Sequence, residues 1–336
     1  MTEIVRGTRP GEDARPVAGT GLGHRAPDPG GTAPAPVALT AEESDVLRTA
    51  EAEPRRGRRR SLAAAFVENR TGVAGLGVVV TVAAFCFLGP LVYHSDQVHA
   101  NIALTNLAPG AGHPLGTDAN GFDILGRLMV GGQSALEISL AVALVATCFG
   151  ALWGAVSGYT GGAIDAVMMR IVDVVIAVPA IFLLIYLATV FRPTVPLLIV
   201  VLSLLSWLGP ARLVRGEALS LRTREFVDAV RAAGGRSSRI VGRHILPNAL
   251  GTISVNATFQ VADAIIILAT LSFLGFGLPP PAVSWGGMLS QGTTYLLDGY
   301  WWEVYPAGLI VMVTVVAFNF IGDGLRDTLD ARLRER

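Results

Sequence analysis

Residues 222–248 read RTREFVDAVRAAGGRSSRIVGRHILPN, a polar, arginine-rich stretch between two apolar runs. Phe226, Val230 and Ala233 recur at i, i+4 and i+7 and so share one face of a short helix, with Arg224, Glu225, Asp228 and Arg231 largely off it. Gly234-Gly235 should end that helix, because glycine enters the left-handed region at little cost. Ser237 or Ser238 is then placed to N-cap a second short helix carrying Ile240, Val241 and Ile245, which Pro247 should close. The expected element is a helix-turn-helix knuckle projecting from a membrane.

The sequence on either side supplies that membrane part. A mean hydropathy of +0.53 with 15% charged residues over 336 residues is too apolar for a soluble chain of this length. Uncharged or nearly uncharged apolar segments at about 73–93, 138–159, 171–191, 195–211, 250–274 and 304–321 are each long enough to cross a hydrocarbon core of about 30 Å as a helix. The expected fold is therefore an all-α polytopic membrane protein with six transmembrane helices, residues 63–336. Residues 1–62, rich in Gly, Pro, Ala and Arg, cannot bury enough apolar surface to fold alone and read as a disordered cytoplasmic tail. Within that tail Thr40-x-x-Glu43 makes one capping box, and the basic cluster at 55–60 suits anionic lipid head groups.

Arginine placement orients the spans. With a cytoplasmic N-terminus, 24 of the 26 basic residues, all of them arginine, fall on inside segments and only Arg127 and Arg192 outside. By the positive-inside rule both termini and the 222–248 knuckle are then cytoplasmic. The last outer loop, about 277–303, has no arginine and ends in Tyr300-Trp301-Trp302 and Tyr305, which suit an interfacial aromatic belt. The absence of lysine excludes a P-loop and a Schiff-base lysine in this chain, so a nucleotide used to drive transport must bind elsewhere. Cys86 and Cys148 lie in apolar runs and read as small hydrophobes without a disulfide.

The motifs now in hand resemble a family. Asp228-Ala229-Val230, three residues, Gly234, and then His244-Ile245-Leu246-Pro247 look like the "EAA" loop of ABC importer permeases, whose pattern is Glu-Ala-Ala, three residues, Gly, nine residues, Ile-x-Leu-Pro. The spacing is kept, with Asp228, Val230 and His244 as conservative departures. His113-Pro114-Leu115-Gly116-Thr117-Asp118, Ser272-Phe273-Leu274-Gly275-Phe276-Gly277, Ser284-Trp285-Gly286 and Gly322-Asp323-Gly324-Leu325-Arg326-Asp327 are similar to segments of the peptide-importer branch. The resemblance covers roughly residues 65–334. It points to the C-type permease of dipeptide or oligopeptide importers, a type I ABC importer fold; nickel and glutathione importers share the motifs.

The resemblance implies that this chain is no enzyme and holds no catalytic residue or cofactor, ATP and Mg being bound by partner subunits. It implies four kinds of contact: a second homologous permease, two ATP-binding subunits, an extracytoplasmic solute-binding protein and membrane lipid, with no nucleic acid. The knuckle would be the coupling element seated in a groove of the ATP-binding subunit. Small Ala229 and Gly234 would allow close approach, Phe226 and Val230 would supply apolar anchors, and Arg224 and Arg231 could pair with acidic groove residues, next to Asp228, Ile245, Leu246 and Pro247 of the motif. The alternative is that the arginines enforce topology and bind lipid phosphates.

Within the spans, Asn256, Gln260 and Asp263 fall on one face of the fifth. Such residues are costly in lipid and face a bundle interior or a watery path, so they are candidates for the translocation path or for an inter-helix hydrogen bond. Gly150, Gly154 and Gly158 recur every fourth residue and read as a close packing face. His113 and Asp118 are too few ligands for a metal site, and none is expected. Ala119, Asn120 and Phe122 depart from the family's usual course. A proton-coupled secondary transporter using Asp263 is the rival; an intramembrane hydrolase is disfavoured because no span offers paired aspartates or a Ser/His pair.

Overall fold

The structure, a computed structural model, describes residues 62–334. The expected tail, including its capping box and basic cluster, lies outside the described residues except for Leu62. Among the described residues the regular structure is helical, with two isolated bridges, Gly110 to His113 and Thr117 to Asp123, in one loop.

The helices in chain order are α1 (Leu62–Glu68), α2 (Arg70–Val92), α3 (Ile124–Thr160), α4 (Gly162–Ala177), α5 (Ala180–Val190), α6 (Val195–Ser206), α7 (Leu208–Leu221), α8 (Glu225–Ala232), α9 (Ser237–Ile240), α10 (Leu246–Phe273), α11 (Trp285–Tyr295) and α12 (Tyr305–Arg334). Among the described residues four stretches are long and apolar enough to cross a membrane: Arg70–Val92, Ile124–Thr160, Ser237–Phe273 and Trp301–Asp330. Two further stretches qualify as bent pairs, α4 with α5 at 77° and α6 with α7 at 43°, giving up to six.

The bends have local causes. Pro179 precedes α5 and cannot donate to a helical ladder, so the segment expected as one span at 171–191 turns sharply there. The second bend falls at Trp207, whose indole packs edge-on against Phe149 at 4.9 Å and Trp153 at 5.1 Å between ring centroids. Bulky rings wedge α7 away from the line of α6 and fill the space the bend opens.

α3 is the hub, packing against α2, α4, α6, α7 and α10. Its glycines explain how a helix can be surrounded so closely. A Cβ on Gly150 would lie 2.5 Å from the Trp207 carbonyl oxygen, one on Gly158 2.6 Å from the Arg215 carbonyl oxygen, and one on Gly154 would meet the Ala211 carbonyl. All three contacts are with the α6–α7 bend or α7, so the glycine repeat is the seam along which α7 lies on α3. That seam is pinned from the side. Asp165 of α4 receives two hydrogen bonds from Arg215 of α7, Nε to Oδ1 and Nη2 to Oδ2, both 2.6 Å, and one from the Ser157 hydroxyl of α3. Arg212 meets Asp173 at 2.5 Å one turn away. No local pattern announces this brace, because its partners stand 50 residues apart.

Candidate functional site

The knuckle begins where α7 ends. Arg222 Nη1 donates to the Gly158 carbonyl at 3.3 Å and ties the turn to the end of α3. Arg224 then serves as the N-cap of α8: extended at φ −81°, it offers its carbonyl to the N–H groups of Val227 and Asp228 at 2.9 and 3.2 Å. Glu225 and Asp228 occupy the first turn and Arg231 the last, the order that complements the helix dipole.

α8 stops as expected. Gly234 has φ +78°, its N–H donates to the Arg231 carbonyl at 3.0 Å, and the Gly235 N–H reaches back to the Val230 carbonyl at 2.9 Å. These are the two hydrogen bonds of a Schellman ending, with Gly234 at the left-handed position. The two glycines differ in what they forbid. A Cβ on Gly234 would enter open space, so its constraint is conformational, whereas one on Gly235 would come within 2.6 Å of Val230 Cγ1.

The second limb of the knuckle departs from the expectation in two ways. Ser237 and Ser238 do not cap; Arg236 holds the N-cap position, with no side-chain cap bond, and Ser237 is the first helical residue. Nor does Pro247 close the second helix. α9 runs into a π-helical turn, Val241–Ile245, and directly on into α10, in which Pro247 occupies an N-terminal position. In that turn the Leu246 N–H bonds to Val241 five residues back, and the wider register absorbs a proline that has no N–H to give. The Asn248 side-chain amide donates to the His244 carbonyl at 2.5 Å.

The buried face of α8 also differs from the one read in sequence. Val227 is the buried residue of the helix, seated among Ala151 and Ala155 of α3, Val214 and Ala218 of α7, and Ile240, Val241 and Ile245 of the second limb. Val230 and Leu246 pack partly against the same cluster, while Phe226 is 40% exposed and Ala229, Ala233 and Pro247 are exposed. Phe226 therefore points outward, leaning toward the His244 ring at 6.5 Å between centroids, and Val230 is an inward support and not a free anchor. Arg231 pairs with Asp228 on its own helix at 2.8 Å and lies over the Tyr159 ring at 5.8 Å; both partners of the pair are more than half exposed. The outward surface is thus Arg224, Glu225, Phe226, Asp228, Ala229 and Gly234, a shallow apolar spot ringed by charge. Val227 could have been found from sequence as the member of the i, i+3 pair 227/230 that matches the β-branched run 240, 241, 245.

The second candidate group lies further along the same continuous helix. Gln260 is an inter-helix tie: its Nε2 donates to the Ser206 carbonyl at 2.7 Å, at the end of α6 where the bend to α7 begins. Asn256 is half-buried with its Oδ1 buried and unpaired among the described residues. Asp263 is exposed and lines a cavity of about 310 Å³ with Ser206, Gln260 and the apolar side chains of α5, α6 and α10. Gln260 and Asp263 therefore open on the same cavity, which Asn256 does not line.

At the far end of α3 the outer loop is tightly built. Asp123 caps α3 through the Gly126 N–H at 2.8 Å and accepts from the Tyr93 hydroxyl at 2.9 Å, with His113 Nδ1 at 2.9 Å. Asp118 pairs with Arg127 at 3.2 Å, and Arg127 covers the Phe122 ring at 4.5 Å. His113 is thus paired with Asp123 and Asp118 with Arg127, and no group of three potential metal ligands occurs among the described residues. Phe122 and Asn120, which left the usual course of the sequence, are the ring under Arg127 and the residue whose carbonyl accepts from the Asn101 N–H at 3.1 Å. Nearby, Asp96 is held down to about 2, first by the backbone N–H of His99, then by that of Val98 and by the His99 ring.

A membrane-scale helical bundle carrying a helix–glycine–helix knuckle between two spans has known relatives. Residues 150–335 match the family described as binding-protein-dependent transport system inner membrane component. This chain belongs to that family. Residues 60–109 of this family member match the N-terminal TM domain of oligopeptide transport permease C. It is 42% identical over 271 residues to the oligopeptide transport system permease protein OppC of Escherichia coli, covering 80% of this chain and 89% of that one. It is 36% identical over 267 residues to the dipeptide transport system permease protein DppC of Bacillus subtilis, covering 80% and 83%. As an inner membrane component of a transport system, it owes its several apolar helices to that setting.

Proposed function

We propose that this chain is the transmembrane permease subunit of an ATP-driven importer of dipeptides or oligopeptides, forming half of the translocation path. ATP and Mg would be bound by two partner subunits, a second homologous permease would complete the path, and an extracytoplasmic solute-binding protein would deliver cargo. The observation that carries the reading is the build of the knuckle. Its outward face of Arg224, Phe226, Asp228, Ala229 and Gly234 is unoccupied by the rest of the described chain. Its inward residue Val227 is locked into a cluster shared by α3, α7 and the root of α10.

A partner pressing on that face acts on three spans at once. Phe226 would be the apolar anchor and Arg224 the charge offered to an acidic groove, while the Asp228–Arg231 pair can open at small cost because it is exposed. Ile245, Leu246 and Pro247 transmit the displacement, the first two through burial and the third through the π-turn it accompanies. Both termini and the knuckle are cytoplasmic in this reading, on the arginine bias of the sequence.

The test is to purify the tagged chain from its native membrane in mild detergent, identify what accompanies it, and reconstitute the assembly in vesicles. Co-purified P-loop ATPases and peptide uptake that requires ATP are expected. A chain recovered alone and transporting without ATP would sink the proposal and favour a proton-coupled carrier.

A further inference from the structure

We infer that the cavity beside Asp263 receives a primary ammonium group attached to an apolar body, of the kind a peptide presents at its N-terminus. The inference rests on the importer reading for the identity of the cargo, but its chemistry comes from the cavity itself.

The polar inventory of the cavity is one-sided. Asp263 makes no hydrogen bond or ion pair with any described residue, so both carboxylate oxygens are available as acceptors. Gln260 spends an amide hydrogen on the Ser206 carbonyl, and that bond fixes the orientation of its amide: Nε2 is turned to α6 and Oε1 is left as an acceptor. Ser206 adds a hydroxyl that can serve either way. Among the described residues no arginine or histidine lines the space. An anionic group entering here would meet a carboxylate and no committed donor, whereas an ammonium, with three N–H donors and no acceptor, matches the carboxylate pair and Gln260 Oε1.

The walls limit the occupant further. Leu184, Leu202, Leu205 and Ile266 line the same cavity, so a bare inorganic cation would exchange its hydration for few oxygen ligands. A divalent transition metal would find one carboxylate and neither imidazole nor thiolate. An organic ammonium satisfies both halves, the charge at Asp263 and the apolar body against the leucines. A volume of about 310 Å³ suits the end of a peptide. Asp263 would then be a specificity residue of the path, one that favours a free N-terminus over a blocked one.

The experiment uses the assembled transporter in lipid nanodiscs with a reporter thiol at Gly209, which lines the cavity and has open space where a side chain would go. The chain carries Gly209→Cys in a Cys148→Ser background, Cys86 being fully buried. Maleimide labelling is timed with Ala-Ala, with N-acetyl-Ala-Ala and with n-butylamine. Several-fold slowing by Ala-Ala and n-butylamine, none by the acetylated peptide, and loss of the slowing in Asp263→Asn is the expected result. Equal slowing by both peptides, no slowing by any compound, or slowing that survives Asp263→Asn would overturn the inference. ATP-dependent uptake by the Asp263-containing assembly is scored separately: its absence, with n-butylamine protection intact, removes the importer reading and leaves the ammonium site standing.

Discussion

At one end of α3 the outer loop is gathered by polar bonds converging on Asp123 and Asp118. At the other end the spans are braced as well, by Arg215 and Ser157 on Asp165 and by Arg222 on the Gly158 carbonyl, but the knuckle helix α8 itself rests on them through a single buried valine and ends in a left-handed glycine turn. Hydrogen-bonded clusters with charged members are directional and lose most of their energy after a small displacement, so they favour one geometry. Apolar contacts fall off more gently and tolerate sliding. The outer loop is thus held by directional bonds, and α8 by apolar contact with the braced spans beneath it.

Four substitutions put that contrast between the two ends at risk. The largest effect is expected from Gly154→Leu, because the Ala211 carbonyl and the Arg215 backbone already fill the space its side chain needs. A loss of about 3 kcal/mol or more, seen as collapsed yield and a lowered Tm in nanodiscs, follows from overpacking against backbone. Unchanged stability would mean that α7 does not lie on this seam. Next is Asp123→Ala at the polar end. It removes an N-cap and the acceptor for Tyr93 and His113, at about 2 kcal/mol, and should raise hydrogen exchange in residues 101–126 while the knuckle stays protected. Equal loosening of both ends would erase the distinction.

Gly234→Val is expected to cost about 1–2 kcal/mol, since a β-branched residue at φ +78° is strained even with open space around it. The informative readout is functional: peptide uptake should fall several-fold with ATP hydrolysis retained, and normal uptake would remove the knuckle from the coupling route. The smallest effect is Arg231→Gln. Its pair with Asp228 is exposed and belongs to one helix, so stability should change by less than about 0.5 kcal/mol by thermal unfolding. A larger loss would show that the cation over Tyr159 matters more than the ion pair.

Much of the knuckle was legible because its determinants are local. Glycine at 234, the short helix before it and the apolar residues after it all act within a few positions, and the glycine repeat of α3 declares a packing face without naming its partner. The rest was set by contacts distant in sequence. Phe226 and Val227 are adjacent and both apolar, and which of them turns inward depends on where α3 and α7 stand. Pro247 reads as a helix end because proline lacks an N–H, but a π-turn lets the helix continue, and that choice is made by burial of Val241 and Ile245. The Asp165–Arg215 brace joins two spans and leaves no periodic trace. In the cavity group, spacing placed Asn256, Gln260 and Asp263 on one face, but only the bend at Trp207 explains why Gln260 has a carbonyl to serve.

The π-turn has a mechanical meaning beyond accommodating a proline. With it, residues 237–273 form one rod, and Asp263 stands 26 residues beyond the first residue of that rod, about 39 Å at the rise of a helix. A rod transmits rotation as faithfully as translation. A twist of the knuckle about the rod axis would therefore swing Asp263 through a comparable angle, turning its carboxylate toward or away from the cavity it lines without any need for the intervening helix to bend.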